Sequence, residues 1–171
     1  WHALDPPYAE LFAWGADGAD PPDVSNRPLF RPFMLAHPLE DTKVDLKDYA
    51  AEWKWDGIRV QLVRVAKKDG EPETRLYSRS GDDISATFPE LLDKLPMDAV
   101  VDGELLVRGA SQGGEEGGAA SFNALQQRLG RKTVSKKMLA ESPAFVRLYD
   151  CLILEGEDLR EQAWEDRRAR L

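Results

Sequence analysis

The sequence predicts an α+β fold with a mostly antiparallel sheet and flanking helices. Apolar and polar residues alternate from Ile58 to Leu62, a period of two that is typical of a half-buried strand. Three further strands are expected, at Thr74–Ser78, Ala99–Val107 and Ala144–Leu154, the second of them a largely apolar run. Helical periodicity predicts helices at Phe88–Leu95, Ser121–Leu129 and Val134–Glu141. Because strands and helices do not alternate strictly, we expect antiparallel pairing rather than a doubly wound sheet.

Composition limits the class of protein. The chain has 171 residues, 42% of them hydrophobic, enough for one domain of ordinary size or part of a larger one. A net charge of −8 does not suit a surface that grips nucleic acid everywhere, so any DNA contact must be local. The single Cys151 and the distant His2 and His37 predict neither disulfides nor structural zinc. Without a long apolar run, we expect a cytoplasmic protein that does not engage membranes.

The first 29 residues are rich in Pro, Gly, Ala and Asp and predict an interdomain connector, with a short helical pattern only at Tyr8–Trp14. Phe30–Pro38 is punctuated by prolines, which push the preceding residue away from helix, so we expect an extended run along a domain edge. Gly109–Ala120 is rich in glycine but lacks the Gly-Lys-Ser/Thr ending of a phosphate-binding loop. It predicts a mobile hairpin loop.

Lys54 is the candidate nucleophile. It lies between Trp53 and Trp55, with Glu52 and Asp56 on either side, just before the first strand and after the irregular N-terminal part. Taken alone, Lys-Trp-Asp-Gly also fits a surface lysine before an Asp-Gly turn, because such a short motif is frequent by chance.

Three further clusters follow in order. Ser78–Gly81 places Arg79 in a turn at the end of a strand. Asp102 and Glu104 are two residues apart in an apolar strand, so their carboxylates project from one face about 6 to 7 Å apart. Burying them without partners is unfavourable, which leaves an ion pair at the strand end or a ligand contact. The last long strand carries Phe145, Arg147 and Tyr149 on one face and Asp150 on the other. An aromatic ring in such a strand is either part of the core or a platform for a planar ligand.

In this order and spacing, the clusters resemble the motifs of ATP-dependent DNA ligases within the covalent nucleotidyltransferases. Phe33–Pro38, together with Phe122, Leu125 and Arg128, adds to the likeness, which spans residues 30–171. It is greatest to bacterial ligases that carry a separate DNA-binding domain ahead of the adenylation domain. The chain resembles the first part of an adenylation domain, without the later motifs and the oligonucleotide-binding domain, so we expect it to be weak or inactive alone.

The resemblance implies roles for individual residues. Lys54 would attack the α-phosphate of ATP to form lysyl-AMP, Glu52 would hold the adenine, and Tyr149 would stack on it. Arg59 and Arg79 would meet ribose or phosphate, and Glu104 would contact the ribose or a magnesium ion. Supporting positions would be Asp56, Gly57, Asp102 and Asp150. The implied partner is nicked double-stranded DNA, sealed during repair or replication by a monomeric enzyme, with repair nucleases or helicases as further partners.

The chemistry explains the choice of residues. A lysine amine attacks only when it is neutral, whereas an ordinary lysine is protonated near neutral pH. We expect Trp53 and Trp55 to desolvate the amine, and Mg²⁺ to outweigh the opposing charges of Glu52 and Asp56. The same ion would polarise the phosphoryl oxygens.

A basic cluster predicts a local DNA contact: Arg128, Arg131, Lys132, Lys136 and Lys137. A solvated surface is the alternative for these residues. Two alternatives also remain for the whole chain, an RNA ligase or capping-type nucleotidyltransferase, and a fragment that binds nucleotide without catalysis.

Overall fold

The computed structural model describes residues 4, 7–24, 26–40, 43–67, 70–108, 122–129, 131 and 134–171. Over these residues the chain forms a five-stranded antiparallel sheet in the order β2-β1-β3-β4-β5. The strands are β1 (Ile58–Ala66), β2 (Pro72–Ser78), β3 (Ala99–Val107), β4 (Ala144–Leu154) and β5 (Glu157–Asp158). The helices are α1 (Ala9–Asp17), α2 (Phe122–Leu129), α3 (Lys136–Glu141) and α4 (Trp164–Ala169). The predicted α+β class and antiparallel sheet are confirmed.

The main core covers one face of the sheet. Val60 and Leu62 of β1 and Leu105 of β3 are buried there, because alternate residues of each strand point to the same side. Phe88 and Leu125, from the connections outside the sheet, are buried against them. The opposite face carries a smaller apolar group and, beside it, the polar residues described below.

The predicted strands agree closely with the observed ones, since β3 and β4 have the predicted bounds. The predicted helix at Phe88–Leu95 is wrong. Two 3₁₀ turns, Ser85–Thr87 and Pro89–Leu91, take its place. Phe88 has φ −132° and ψ 54°, as expected from the steric clash that disfavours helix before a proline. Gly109–Ala120, the predicted mobile hairpin, lies outside the described residues.

An extended segment, residues 28–34, crosses the face of β1 and β2; we call it the strap. The hydroxyl of Tyr77 donates to the carbonyl of Pro28 at 2.5 Å. Arg31 bonds the Gln61 side chain in both directions, donating its N–H at 2.6 Å and accepting from Nε2 at 3.0 Å. Arg59 Nη2 donates to the carbonyl of Met34 at 2.9 Å. The strap therefore lies over the sheet face, not along the domain edge where the sequence placed it.

Outside the strap, α1 extends the short helix predicted near Tyr8 and buries none of its residues. Among the helices of the described ranges, none has the length and apolar character needed to cross a membrane.

Candidate active site

The pairing register of β1 and β3 brings four polar residues onto one face of the sheet, the polar face. Arg59 stands opposite Glu104, and Gln61 stands opposite Asp102, across the β1–β3 pair. All four side chains are therefore on the same face, since facing residues of paired strands project to the same side. The prediction that the two acids share one face is confirmed by this register.

Asp102 is fully buried, with an exposed fraction of 0%. Its Oδ1 accepts from Gln61 Nε2 at 2.9 Å and its Oδ2 from Arg59 Nη2 at 3.3 Å. Burial raises the pKa of Asp102 to about 6, against the opposing effects of Gln61 and Arg59. Because both oxygens have protein partners, this carboxylate holds other residues in place and is not directed at a ligand.

Glu104 is half-buried, and burial raises the pKa of its carboxyl. The backbone N–H of Gly57 and the charges of Lys54 and Arg59 oppose that rise, while Asp56 adds to it. Among the described residues, no Lys or Arg forms an ion pair with Glu104 shorter than 4.0 Å. Glu104 is thus the carboxylate of this face that remains open to a ligand.

Lys54 lies on the irregular segment that enters β1, close enough to Glu104 for its charge to affect that carboxyl. The amine is exposed. Trp53 is 85% exposed and does not cover it, so the expectation that two tryptophans desolvate Lys54 is wrong for Trp53. Trp55 is partly buried and packs elsewhere, on Arg147.

Residues 49–57 lead into β1, and we call them the lysine segment. Gly57 permits the close approach of this segment to β3. A Cβ at this position would overlap the carbonyl oxygen of Leu105 and lie 2.8 Å from Leu106 Cδ2. Only glycine avoids that contact. Gly57 therefore lets the end of the segment that carries Lys54 pack directly against Leu105 and Glu104 of β3.

Arg59 lies between two rings, with its guanidinium carbon 4.4 Å from the Phe33 ring centroid and 5.5 Å from that of Tyr149. Its Nε is buried and has no hydrogen-bond partner among the described residues. A buried donor without a partner is uncommon in folded proteins. It marks a position where an acceptor from a ligand would be stabilising.

The ring of Tyr149 forms a planar surface at the candidate site. Its ring is partly buried, and burial raises the pKa of the phenol to about 12, so the hydroxyl stays neutral at physiological pH. Tyr149 and Glu52 line a cavity of about 840 Å³ together with Trp55, Phe145 and Arg147. The intervening Val146 and Leu148 pack against the main core, as the predicted common face of Phe145, Arg147 and Tyr149 requires.

Two predicted residues differ in their placement. Arg79 is exposed in the turn after β2, and no contact ties it to the residues around Glu104 within the described ranges. Asp150 stands opposite Asp102 in the β3–β4 pair, is buried, and accepts from Arg167 Nε at 2.8 Å and Nη2 at 3.0 Å. Its carboxylate therefore docks α4 on β4, and its support of the ligand-binding residues stays a prediction.

The basic cluster separates into two parts. Arg128 is only 1% exposed, so its prediction as a DNA contact is wrong. Its guanidinium pairs with Glu90 at 2.5 Å and donates to the carbonyl of Ser142 at 2.9 Å, which makes it part of the core. Arg131, Lys136 and Lys137 are exposed. Lys132 lies outside the described residues.

Two residues of the face were not among the predicted site residues. Gln61 is the one amide in the run of Val and Leu side chains along β1, and that polar interruption was a usable signal. Arg147 was noted only for sharing a face with Tyr149. Its contact with Trp55 joins positions 92 residues apart in sequence, which no local pattern reveals.

The described residues contain no group of three or more His, Cys, Asp or Glu side chains able to hold a metal. Glu52 and the Tyr149 ring instead line a large cavity, and Glu104 lies on the polar face without an ion-pair partner in the described part of the chain. The fold and this face define a candidate site for a planar ligand.

Comparison with known proteins places the chain in a family. Residues 33–171 match the model of the "ATP dependent DNA ligase domain". The chain belongs to the family of ATP-dependent DNA ligase domains.

Individual proteins similar to this chain are named as DNA ligases. A probable DNA ligase of Koribacter versatilis is 35% identical over 84% of this chain and 24% of its own length. A DNA ligase of Thermococcus onnurineus is 31% identical over 92% of this chain and 28% of its own length. A mycobacterial DNA ligase D complexed with ATP and MES has a TM-score of 0.49 at 30% identity, covering 70% of this chain and 34% of that one. The chain spans about a quarter of the length of the two curated relatives.

Proposed function

We propose that this chain supplies the nucleotide-accepting lysine of an ATP-dependent DNA ligase, and that Lys54 is that lysine. The observation that carries the proposal is the close packing of Gly57, three residues after Lys54, against Leu105 and Glu104 of β3, in a chain of the ligase-domain family. Attack on a bound nucleoside triphosphate requires the neutral amine. Nearby carboxylates favour the ammonium form, and a bound magnesium ion would offset their effect.

The proposed reaction has three steps. The neutral amine of Lys54 attacks the α-phosphorus of ATP, an N–P bond forms, and the bond to pyrophosphate breaks, with one proton lost from nitrogen. The adenylate then moves to the 5′-phosphate at a DNA nick, which frees the lysine. Finally, the 3′-hydroxyl attacks that phosphate and AMP leaves, so that the strand is sealed.

Residues of the face would bind the nucleotide. The Tyr149 ring offers a stacking surface for adenine, and Glu52, on the rim of the same cavity, would accept from its amino group. The buried Arg59 Nε, which has no partner among the described residues, fits an oxygen of the ribose or phosphate. Arg79 keeps its proposed phosphate contact only if the turn after β2 moves toward the site.

Glu104 is suited to a magnesium ion, since Mg²⁺ typically binds one or two carboxylates together with substrate phosphates. Asp102 is not suited, because both of its oxygens have protein donors. When bound, the ion would stabilise the charge that develops on the phosphoryl oxygens.

The test is the intact mass of the longest natural polypeptide containing this chain, incubated with ATP and Mg²⁺. We expect one adenylate to be added, and none in Lys54→Ala. Lys47→Ala is the matched control, because Lys47 is an exposed lysine on the same approach to β1, with 89% of its side chain accessible. Adenylation retained in Lys54→Ala would refute the assignment, and labelling by GTP in place of ATP would favour a capping-type enzyme.

Nicked double-stranded DNA is the proposed substrate, and Arg131, Lys136 and Lys137 are the proposed local contacts with its backbone. A monomeric state, a cytoplasmic location and association with repair nucleases or helicases also remain proposals. Weak activity of the 171-residue chain by itself is expected, because it covers only 24% of the length of the Koribacter relative.

A further inference from the structure

Trp55 and Arg147 form a contact that none of the roles above uses. The guanidinium carbon of Arg147 lies 4.6 Å from the centroid of the Trp55 ring. A guanidinium is attracted to the negative face of an aromatic ring, and tryptophan is the best partner for it. Since Trp55 directly follows Lys54, the stack fastens the lysine segment to β4.

The register of the sheet makes this contact unexpected. Arg147 stands opposite Glu104 in the β3–β4 pair, just as Arg59 does in the β1–β3 pair. Opposite charges at facing positions usually attract each other. Nevertheless, no ion pair joins Arg147 to Glu104 in the described part of the chain, and the guanidinium is turned onto Trp55. Glu104 therefore stays available to Lys54.

The lysine segment is otherwise loosely held. Residues 49–57 lack helix and strand, and from position 50 to Lys54 the side chains are exposed. Two contacts fix the end of the segment: Trp55 on Arg147, and the close packing of Gly57 against the Leu105 carbonyl and the Glu104 side chain. Lys54 immediately precedes the first of them, so a change at position 55 would release the amine.

We propose that Arg147 is a positioning residue: stacked on Trp55, it holds the lysine segment over Glu104. The same contact directs the Arg147 guanidinium away from Glu104. This inference rests on the proposed role of Lys54 as the nucleotide acceptor. Arg147 acts through the placement of Lys54 and does not touch the reacting atoms.

The first test is single-turnover formation of lysyl-AMP over a range of ATP concentrations, in the longest natural polypeptide. Arg147→Met keeps the aliphatic stem and removes the cation, and Trp55→Leu removes the ring. We expect each to lower the maximal rate about three- to thirtyfold, the range of a cation–π contact. The ATP concentration for half-maximal rate should stay within about twofold, because nucleotide contacts remain.

Three further variants sharpen this test. The double variant Trp55→Leu/Arg147→Met should be no slower than the slower single variant, because both remove the same interaction. Trp55→Phe keeps a ring face and should recover most of the rate. Arg170→Met is the matched control, since Arg170 is an exposed arginine paired with Glu157 outside the site. A higher half-saturating ATP concentration with an unchanged maximal rate in Arg147→Met would overturn the proposal, as would multiplicative effects in the double variant.

The second test does not depend on activity. With 5-fluorotryptophan in place of tryptophan, the ¹⁹F signal of Trp55 is assigned by its loss in Trp55→Phe. We expect Arg147→Met to shift and narrow that signal toward that of a free ring, while Trp164, in the same cavity, keeps its signal. If the Trp55 signal does not move in Arg147→Met, the claim that the Trp55–Arg147 stack anchors the lysine segment is overturned.

The two tests separate the failures. If the unaltered protein forms no lysyl-AMP, the proposed function fails, while the ¹⁹F shift still decides whether Arg147 holds the segment. If lysyl-AMP forms and Arg147→Met changes neither the rate nor the Trp55 signal, the positioning role fails and the proposed function stands.

Discussion

Gln61 Nε2 lies 2.9 Å from Asp102 Oδ1 and also donates to the carbonyl of Arg31 at 3.0 Å. The amide therefore joins a buried carboxylate of β3 to the strap. Its Oε1 accepts from the Arg31 N–H at 2.6 Å, so every polar atom of this buried side chain is used. Arg59 extends the link by bonding both Asp102 and the carbonyl of Met34. The polar face is thus organised by residues that lie beneath the candidate site.

The buried Asp102 predicts a pH dependence of stability. Its pKa is raised by burial from 3.8 to about 6, so above pH 6 the folded protein holds an unfavourable buried charge. Between about pH 6 and 4 the folded state takes up a proton and the unfolded state does not, so this contribution to stability increases as the pH falls.

Asp102→Asn lacks that titration. Relative to the variant, we expect the unfolding free energy of the unaltered chain to rise by about 2 to 3 kcal/mol from pH 7 to 4. Chemical denaturation of both proteins across this range provides the measurement. A difference that stays constant with pH would show that the carboxyl does not titrate in the window.

Arg128 is expected to stabilise the core. Its guanidinium pairs with Glu90, donates to the carbonyls of Ser142 and Thr87, and lies 4.7 Å from the Phe88 ring centroid. Arg128→Met would leave the Glu90 carboxylate without its cation, so we expect the unfolding free energy to fall by about 3 to 5 kcal/mol.

Arg131→Met is the control for Arg128, because Arg131 is exposed, and a change within about 0.5 kcal/mol is expected. Arg128→Met/Glu90→Gln should recover part of the stability, since the uncompensated charge is removed. Equal unfolding midpoints for Arg128→Met and the unaltered chain would contradict burial of the pair.

Gly57→Ala tests the close approach of the lysine segment to β3. The added Cβ would meet the Leu105 carbonyl, so we expect about 1 to 3 kcal/mol of destabilisation and slower lysyl-AMP formation. Gly15→Ala is the matched control, because nothing lies within 4 Å of a Cβ there and Gly15 is in α1. It should be neutral or slightly stabilising. Normal adenylation by Gly57→Ala would mean that the segment has room.

Charge reversal tests the proposed DNA contact. With Arg131, Lys136 and Lys137 changed to Glu in the longest natural polypeptide, we expect weaker binding to nicked duplex DNA. The slope of log affinity against log salt should become shallower by about 0.9 for each phosphate that these side chains no longer neutralise. Three exposed lysines elsewhere, Lys43, Lys47 and Lys94, changed together to Glu serve as the control for overall charge. Binding and a salt slope equal to those of this control would place the DNA contact elsewhere.

The sequence by itself determined the strands and the composition of the polar face. β3 and β4 could be predicted to the residue, because their apolar runs are a local property of the chain; in β3 every residue except Glu104 is buried. The alternation of side chains along a strand placed Asp102 and Glu104 on one face. Gly57 indicated a bend before β1, and its close approach to Leu105 is the physical reason that glycine is needed there.

Only the tertiary structure decided which charges are paired. Arg128 meets Glu90, 38 residues away, and Asp150 meets Arg167, 17 residues away. Either arginine could have been a surface residue by composition alone. Trp53 is exposed while Trp55 packs on Arg147, although both flank Lys54. Burial, pairing and stacking depend on which distant segment fills the adjacent space, and periodicity carries no information about that.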